Sequence, residues 1–276
     1  MKLRVTIWNG IWRLCRGLYG SAAMPMPHAL FFHGLGRRVA GVPSPLFPAR
    51  KKHLLDPGRI RNVHARTALA GQTLTSHGMD VAAMNIVLDV LARQAVRRIL
   101  EFGSGVSTVA LAAAVRGGSS GAAPGAGPSV VSIEENPEYA ARTAAWLAPR
   151  QLDGTARVLC CPLVARRIAG QEVRAYEWSL SRFRDAVGDW APDLVFVDGP
   201  STGRAARAAA IADGASLAAP GCPILMDDAL RAQELDVIGI VQRLGIAAFR
   251  GVVPVGKGIA VGRYTAGPET AQGAAA

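Results

Sequence analysis

The sequence predicts an α/β fold: a doubly wound, mostly parallel sheet of seven strands, preceded by an irregular basic N-terminal arm. Three observations carry that expectation. From Arg97 onward, short apolar runs alternate with helical patterns, as expected for parallel strands covered on both faces. The run Glu101-Phe102-Gly103-Ser104-Gly105 joins a strand to an Ala-rich helix through a glycine turn. Such a junction cradles an anionic or zwitterionic ligand, because glycines admit close approach and the helix N-terminus offers unpaired N–H groups. Finally, four of the five parallel strands end in an acid: Glu101, Glu134, Asp198 and Asp227. Ligands of open α/β sheets bind at those strand ends, and packing alone gives no reason to line them with carboxylates.

Composition divides the chain before any element is drawn. Half of its 276 residues are hydrophobic, enough for a globular core. The net charge of +11 lies entirely in residues 1–70, which hold twelve of the 31 Lys/Arg and one of the 20 acids. A neutral remainder carries no electrostatic footprint for nucleic acid. The division expected is a basic arm over 1–70, an α/β domain over 71–265 and a disordered tail over 266–276. No apolar run reaches the roughly 18 residues of a membrane span. The four cysteines lack zinc-ligand spacing and suit a reducing cytoplasm.

Within the arm, residues 3–19 set Ile7, Trp8, Ile11, Trp12, Leu14 and Leu18 at near-helical spacing among basic residues. That stretch reads as an amphipathic helix docked on its own domain or resting on an anionic membrane surface, here the inner face of a cytoplasmic membrane. Residues 20–58, rich in Pro and Gly, read as an extended linker. A helix follows from Ser76, with Asp80 as a start signal. Strand 97–102 leads into helix 106–116, and the low-complexity loop 117–128 separates them from strand 129–134 and helix 137–148. A strand at 156–160 precedes an irregular stretch containing Tyr176, Trp178 and Phe183. Strand 193–198, helix 202–218, strand 222–227 and helix 229–243 continue the alternation, and strands near 246–252 and 258–264 close it.

Glu101-x-Gly103-x-Gly105 departs from the dinucleotide fingerprint, since Thr108 occupies its third glycine position. It resembles instead the first motif of class I S-adenosylmethionine-dependent methyltransferases. The stretch 133–147 (IEENPEYAARTAAWL) is similar to the second motif of catechol and caffeoyl-CoA O-methyltransferase-like enzymes, and 192–200 (PDLVFVDGP) and 221–229 (GCPILMDDA) to their fourth- and fifth-strand motifs. The resemblance implies a Rossmann-like methyltransferase fold with S-adenosyl-L-methionine bound by Glu101, Gly103, Ser104, Gly105, Ser107, Thr108, Glu134 and Glu135. Glu134 would take the ribose hydroxyls and Glu135 would lie beside the adenine. For the metal-dependent members it further implies Mg²⁺ held by Asp198, Asp227 and Asp228. The alternative is that Asp198 borders the methionine moiety while Asp228 caps helix 229–243. The family's lysine just after the first metal acid is absent, Ser201 and Thr202 standing there with Arg204 as the nearest cation.

The activity expected is O-methylation of a small molecule or a sugar hydroxyl. Such a transfer needs a base or cation at the acceptor, for which Asp198, Asp227, His77 and Arg231 are the candidates. All five histidines lie at or before position 77, so only His77 could serve the domain. Two rivals come from other classes: an NAD(P)-dependent oxidoreductase on a similar sheet, and a non-catalytic module lying on a membrane. The Asn/Asp-Pro-Pro-aromatic signature of nucleic-acid amino-methyltransferases is missing, so nucleic acid is not an expected partner.

Overall fold

The computed structural model describes residues 17–20, 22–32, 56–72, 79–118, 127–201, 203 and 205–265. Most of the amphipathic stretch 3–19, His77, most of the loop 117–128, Thr202, Arg204 and the tail from 266 lie outside the described residues. Strands β1 to β10 run Met24–Pro25, Ile99–Phe102, Val130–Glu134, Ala156–Cys160, Leu163–Ile168, Gln171–Tyr176, Leu194–Val197, Pro223–Met226, Ala247–Val253 and Ile259–Tyr264. Helices α1 to α7 run Val63–Ala68, Val81–Arg93, Val106–Gly117, Pro137–Leu147, Leu180–Val187, Ala206–Ala215 and Ala232–Arg243. Among the described residues, none of these helices is long and apolar enough to cross a membrane.

Eight strands form one sheet in the order β1-β9-β10-β8-β7-β2-β3-β4, with β2, β3, β4, β7 and β8 parallel and β10 antiparallel to both neighbours. Every residue of β2, β3 and β7 is buried, the polar Glu101, Ser132 and Glu134 included. One face carries Val87, Leu91, Val109 and Leu111 from α2 and α3, continuous with Ile99 and Phe196 of the sheet. The other carries Ile211 of α6, Val237 and Val241 of α7 and Tyr176 of β6, packed on Leu100 and Val195. The chain runs outward from β2 to β3 and β4, then returns to β7 on the other side of β2. That reversal opens a crevice at the carboxyl ends of β2 and β7.

Helix entry follows local chemistry. Asp80 caps α2, accepting from the Ala82 N–H at 2.7 Å, and Asn136 caps α4 ahead of Pro137, accepting from the Glu138 N–H at 2.8 Å. Helix α6 starts at Ala206 and α7 at Ala232, each later than the sequence pattern suggested.

Three features add to the expected layout. The edge strand β1 pairs with β9, where a Cβ on Gly251 would lie 2.4 Å from the Met24 carbonyl, so the close pairing requires glycine there. The packed unit also reaches ahead of residue 71, since Ile60, Ala65 and Leu69 are buried in the core. The stretch after β4, expected to be irregular, is a β5–β6 hairpin followed by α5. Its two-residue turn, Ala169–Gly170, has both φ values positive (49° and 75°), matching the twist of the flanking strands. Arg166 locks the hairpin onto α6 through a two-pronged bond to buried Asp213, at 2.7 and 2.8 Å. Rings of Phe102, Trp178, Phe183 and Trp190 then run in contact from the central strand to α5, with centroids 5.4–6.1 Å apart.

Candidate active site

The glycine turn is clasped from below and from the side. Gly103 leaves β2 at a φ of 92°, and a Cβ there would lie 2.9 Å from the Gly199 nitrogen. Beneath the turn, the Glu101 side chain is fully buried. Its Oε2 accepts from Thr108 Oγ1 at 2.6 Å and from Ser132 Oγ, while Thr108 Oγ1 accepts from the Gly105 N–H at 3.0 Å. Strand, turn and helix are thereby tied through one carboxyl group, whose Oε1 has no hydrogen-bond partner among the described residues. Thr108, standing at the third glycine position of a dinucleotide fingerprint, is committed to this clasp.

From the side, Glu134 holds the turn to β3. Its Oε2 accepts from both the N–H and the hydroxyl of Ser104, each at 2.8 Å, and its Oε1 from the Asn136 N–H at 3.0 Å. Glu135 is half-buried and accepts from the Tyr176 hydroxyl at 3.1 Å. Burial, and then the neighbouring Glu134, raise its pKa. Ser107 is buried at the start of α3. Of the eight residues expected to bind a cofactor, Glu101 and Thr108 are fully buried beneath the turn and bonded to each other, while the other six lie around it near the carboxyl ends of β2 and β3.

Burial pushes the Glu101 carboxyl from 4.5 up to about 7, against the hydrogen bonds that lower it. The folded protein thus holds this proton more tightly than the unfolded chain. Its stabilisation is complete below about pH 4.5 and is lost as pH rises through about 7. Unfolding free energy measured in urea should fall across that window, by on the order of 3 kcal/mol from this group. Glu101→Gln, neutral at every pH, should flatten the fall; an unchanged slope would refute the assignment. Asp213, raised to about 6 by burial, contributes in the same direction.

Along the other half of the crevice, oxygens of Asp198, Asp227 and Asp228 lie within 4.8 Å of one another. The carboxylates do not stand alone. Arg207 projects from α6 with 3% of its side chain exposed, 3.4 Å from Asp228 Oδ2, 3.7 Å from Asp198 Oδ1 and 3.8 Å from Glu234 Oε1. It also donates to the Asp227 carbonyl at 2.7 Å and to the Asp198 carbonyl. Burial opposes its charge, but Glu234, Asp228, Asp198 and Asp227 outweigh that and raise its pKa. Arg231 Nη1 lies 2.7 Å from Asp228 Oδ2, and Lys257 Nζ 3.1 Å from Asp228 Oδ1. Asp228 does not cap α7; it sits at a φ of 59° in the turn before it and binds cations with both oxygens. Asp227 Oδ1 is buried without a hydrogen-bond partner among the described residues, and burial followed by repulsion from Asp228 and Asp198 holds its pKa well above the carboxylate range. Asp198 is raised to about 6, first by burial and only partly offset by Arg207.

A Mg²⁺ ion does not fit this donor set as it stands. Magnesium wants oxygen ligands in near-ideal octahedral array. Here three positive charges already surround the trio, with Asp228 ion-paired through Oδ2 to Arg207 and Arg231 and through Oδ1, which makes no hydrogen bond among the described residues, to Lys257. Of the other expected catalytic groups, Arg231 is at the site and His77 lies outside the described residues. Arg207, Glu234, Lys257 and Tyr176 escaped the sequence reading. A lone arginine in the all-buried, Ala-rich α6 was the one available signal.

Residues 100–229 match a family model described as a methyltransferase domain. That range begins within β2 and ends just past Asp228, so it spans the glycine turn and every strand-end acid. No curated protein matches the chain in sequence. Among solved structures, the O-methyltransferase TomG from Streptomyces achromogenes, in complex with S-adenosylmethionine, is 18% identical over 77% of this chain and 92% of its own, with a TM-score of 0.50. The O-methyltransferase from Bacillus cereus, in complex with S-adenosylhomocysteine, is 15% identical over 86% of this chain and all of its own, with a TM-score of 0.49. The first of these shows the shared fold, and the matched range coincides with the crevice. Residues 100–229 are therefore similar to a methyltransferase domain, and the chain shares its fold with an S-adenosylmethionine-bound O-methyltransferase.

Proposed function

We propose that the protein transfers the methyl group of S-adenosylmethionine to a hydroxyl oxygen of a small molecule or a sugar. One observation carries this reading: the glycine turn and Glu134 lie across the β2–β7 crevice from a carboxylate that can take a proton, Asp198. Glu134 Oε1 holds a single hydrogen bond and keeps acceptor capacity for a ribose hydroxyl. The open side of the turn at Gly105, where a Cβ would meet nothing within 4 Å, leaves room for the ligand.

Methyl transfer is an in-line displacement at the sulfonium carbon, so alignment supplies much of the acceleration. Asp198, with a quarter of its side chain exposed and a pKa near 6, is the general base. It accepts the hydroxyl proton as the acceptor oxygen attacks. Solved O-methyltransferases of similar fold with S-adenosylmethionine or S-adenosylhomocysteine bound support the choice of cofactor and of oxygen as acceptor.

Isothermal titration tests the reading: S-adenosylhomocysteine should bind and NAD(P) should not. Glu134→Gln is expected to weaken that binding about tenfold through loss of a charge-assisted bond, with the circular dichroism spectrum unchanged. Binding of NAD(P) in place of S-adenosylhomocysteine would instead favour the oxidoreductase.

A further inference from the structure

We propose that the Asp198–Asp227–Asp228 trio works without a divalent cation and that Lys257 stands in the place of one, its ammonium held over the trio and facing the acceptor oxygen. The part concerning the acceptor rests on the methyl-transfer reading; the part concerning the cation does not.

Charge is the first argument. The trio and Glu234 bring four carboxylates together, and Arg207, Arg231 and Lys257 answer with three positive charges, all within 4 Å of an acid oxygen. Cations already stand beside Asp198 and beside both oxygens of Asp228, which lessens the attraction the trio offers a divalent ion. Entry of an ion would have to displace Lys257 and Arg231 from Asp228 and bring two further charges beside buried Arg207.

The three cations are not equivalent. Arg207 is locked by its bonds to the Asp227 and Asp198 carbonyls and cannot swing toward a substrate. Arg231 reaches Asp228 from three residues along the same turn. Lys257 arrives from the connection between β9 and β10, and its backbone is fixed beside the trio. The Ala229 N–H donates to the Gly258 carbonyl and the Leu230 N–H to the Lys257 carbonyl, both at 3.0 Å. A Cβ on Gly258 would lie 2.5 Å from Leu230 Cδ1, so the two segments are pressed together. On this fixed backbone Lys257 keeps 23% of its side chain exposed, against 3% for Arg207. It is also the single lysine beyond residue 52. A compact ammonium with three donors can hold Asp228 and a second oxygen at once, whereas the Arg207 guanidinium is tied by its Nη atoms to two carbonyls.

In the transfer, the acceptor O–H proton passes to the Asp198 carboxylate and the oxygen lone pair forms the new O–CH₃ bond. The S–CH₃ bond breaks with its electron pair going to sulfur, leaving the neutral thioether S-adenosylhomocysteine. Lys257 stays protonated and donates a hydrogen bond to the oxygen while negative charge develops there.

The test uses the full chain and Mn²⁺ as the probe, followed by electron paramagnetic resonance, with S-adenosylhomocysteine calorimetry on the same samples. The wild-type protein should leave the free Mn²⁺ signal unchanged. Lys257→Met, which frees Asp228 Oδ1, should bind Mn²⁺, and Lys257→Arg, which restores the charge, should exclude it again. Mn²⁺ bound by the wild type and lost in Asp228→Asn would overturn the proposal. A Lys257→Met protein that excludes Mn²⁺ as fully as its parent would overturn the place given to Lys257. Failure to bind S-adenosylhomocysteine refutes the methyl-transfer reading alone and leaves the cation result standing.

Discussion

Arg207→Met should lower the unfolding free energy by about 3–5 kcal/mol, the range expected when one partner of a buried charge cluster is removed. Methionine keeps most of the length and apolar volume, so the loss reports charge and hydrogen bonding rather than a cavity. Three acids, Asp198, Asp228 and Glu234, lose a cation within 4 Å, and the carbonyls of Asp227 and Asp198 lose a donor. The effect has a sign in pH. Asp198 carries a raised pKa of about 6, and Glu234 is raised as well, so acidification protonates two of the acids that Arg207 leaves unpaired. The difference between variant and wild type should therefore shrink as pH falls through about 6 and widen above it. Urea unfolding at several pH values, followed by far-ultraviolet circular dichroism, measures both. A loss below about 1 kcal/mol, the scale of an exposed ion pair, would mean that Arg207 is not what holds the ends of β7 and β8 together.

That cluster also marks where the sequence stops being legible. The strand-end acids could be located because a strand ending and a helix beginning are both visible in the hydrophobic pattern, and the sheet brings all such ends to one rim. Their counter-charges obey no spacing rule. Arg207 comes from the first turn of α6, Arg231 from the turn before α7 and Lys257 from a connection between the last two strands, and only the fold makes them neighbours. The acid pattern alone therefore suggests a metal, whereas the acids with their cations do not. The β5–β6 hairpin went unseen for a different reason. Its turn is Ala169–Gly170 rather than Asn-Gly or Asp-Gly, and its strands carry Arg166, Arg167 and Arg174 among their apolar residues. Tyr176, at its end, reads as one aromatic among several until the hairpin sets its hydroxyl on Glu135. Glu101 shows the reverse case: its position beside the turn was plain, but its burial beneath the turn, bound to Thr108 and Ser132, needs the β3 neighbour that supplies Ser132.

Gly103→Ala should abolish measurable S-adenosylhomocysteine binding and destabilise the protein by about 1–3 kcal/mol, the scale of a non-glycine residue forced into a disfavoured backbone conformation. Two separate effects meet at this position. The φ of 92° is one that side-chain-bearing residues rarely adopt, and the new Cβ would lie 2.9 Å from the Gly199 nitrogen and 3.3 Å from the Asp198 carbonyl carbon. Those are backbone atoms and no rotamer change can move them away. They are held in place as well, since the N–H groups of Asp198 and Gly199 both donate to the Phe102 carbonyl, at 2.9 and 2.7 Å. Relief must come from parting the ends of β2 and β7, which carries Ser104 away from Asp198 and opens the crevice in which cofactor and acceptor would be aligned. Gly170→Ala separates the two effects. Gly170 has a φ of 75° but a Cβ there would meet nothing within 4 Å, and it sits at the tip of the hairpin. That variant should show the conformational cost with cofactor affinity intact. If Gly103→Ala likewise keeps its affinity while losing stability, the β2–β7 crevice does not hold the cofactor, and the glycine is there for the fold alone.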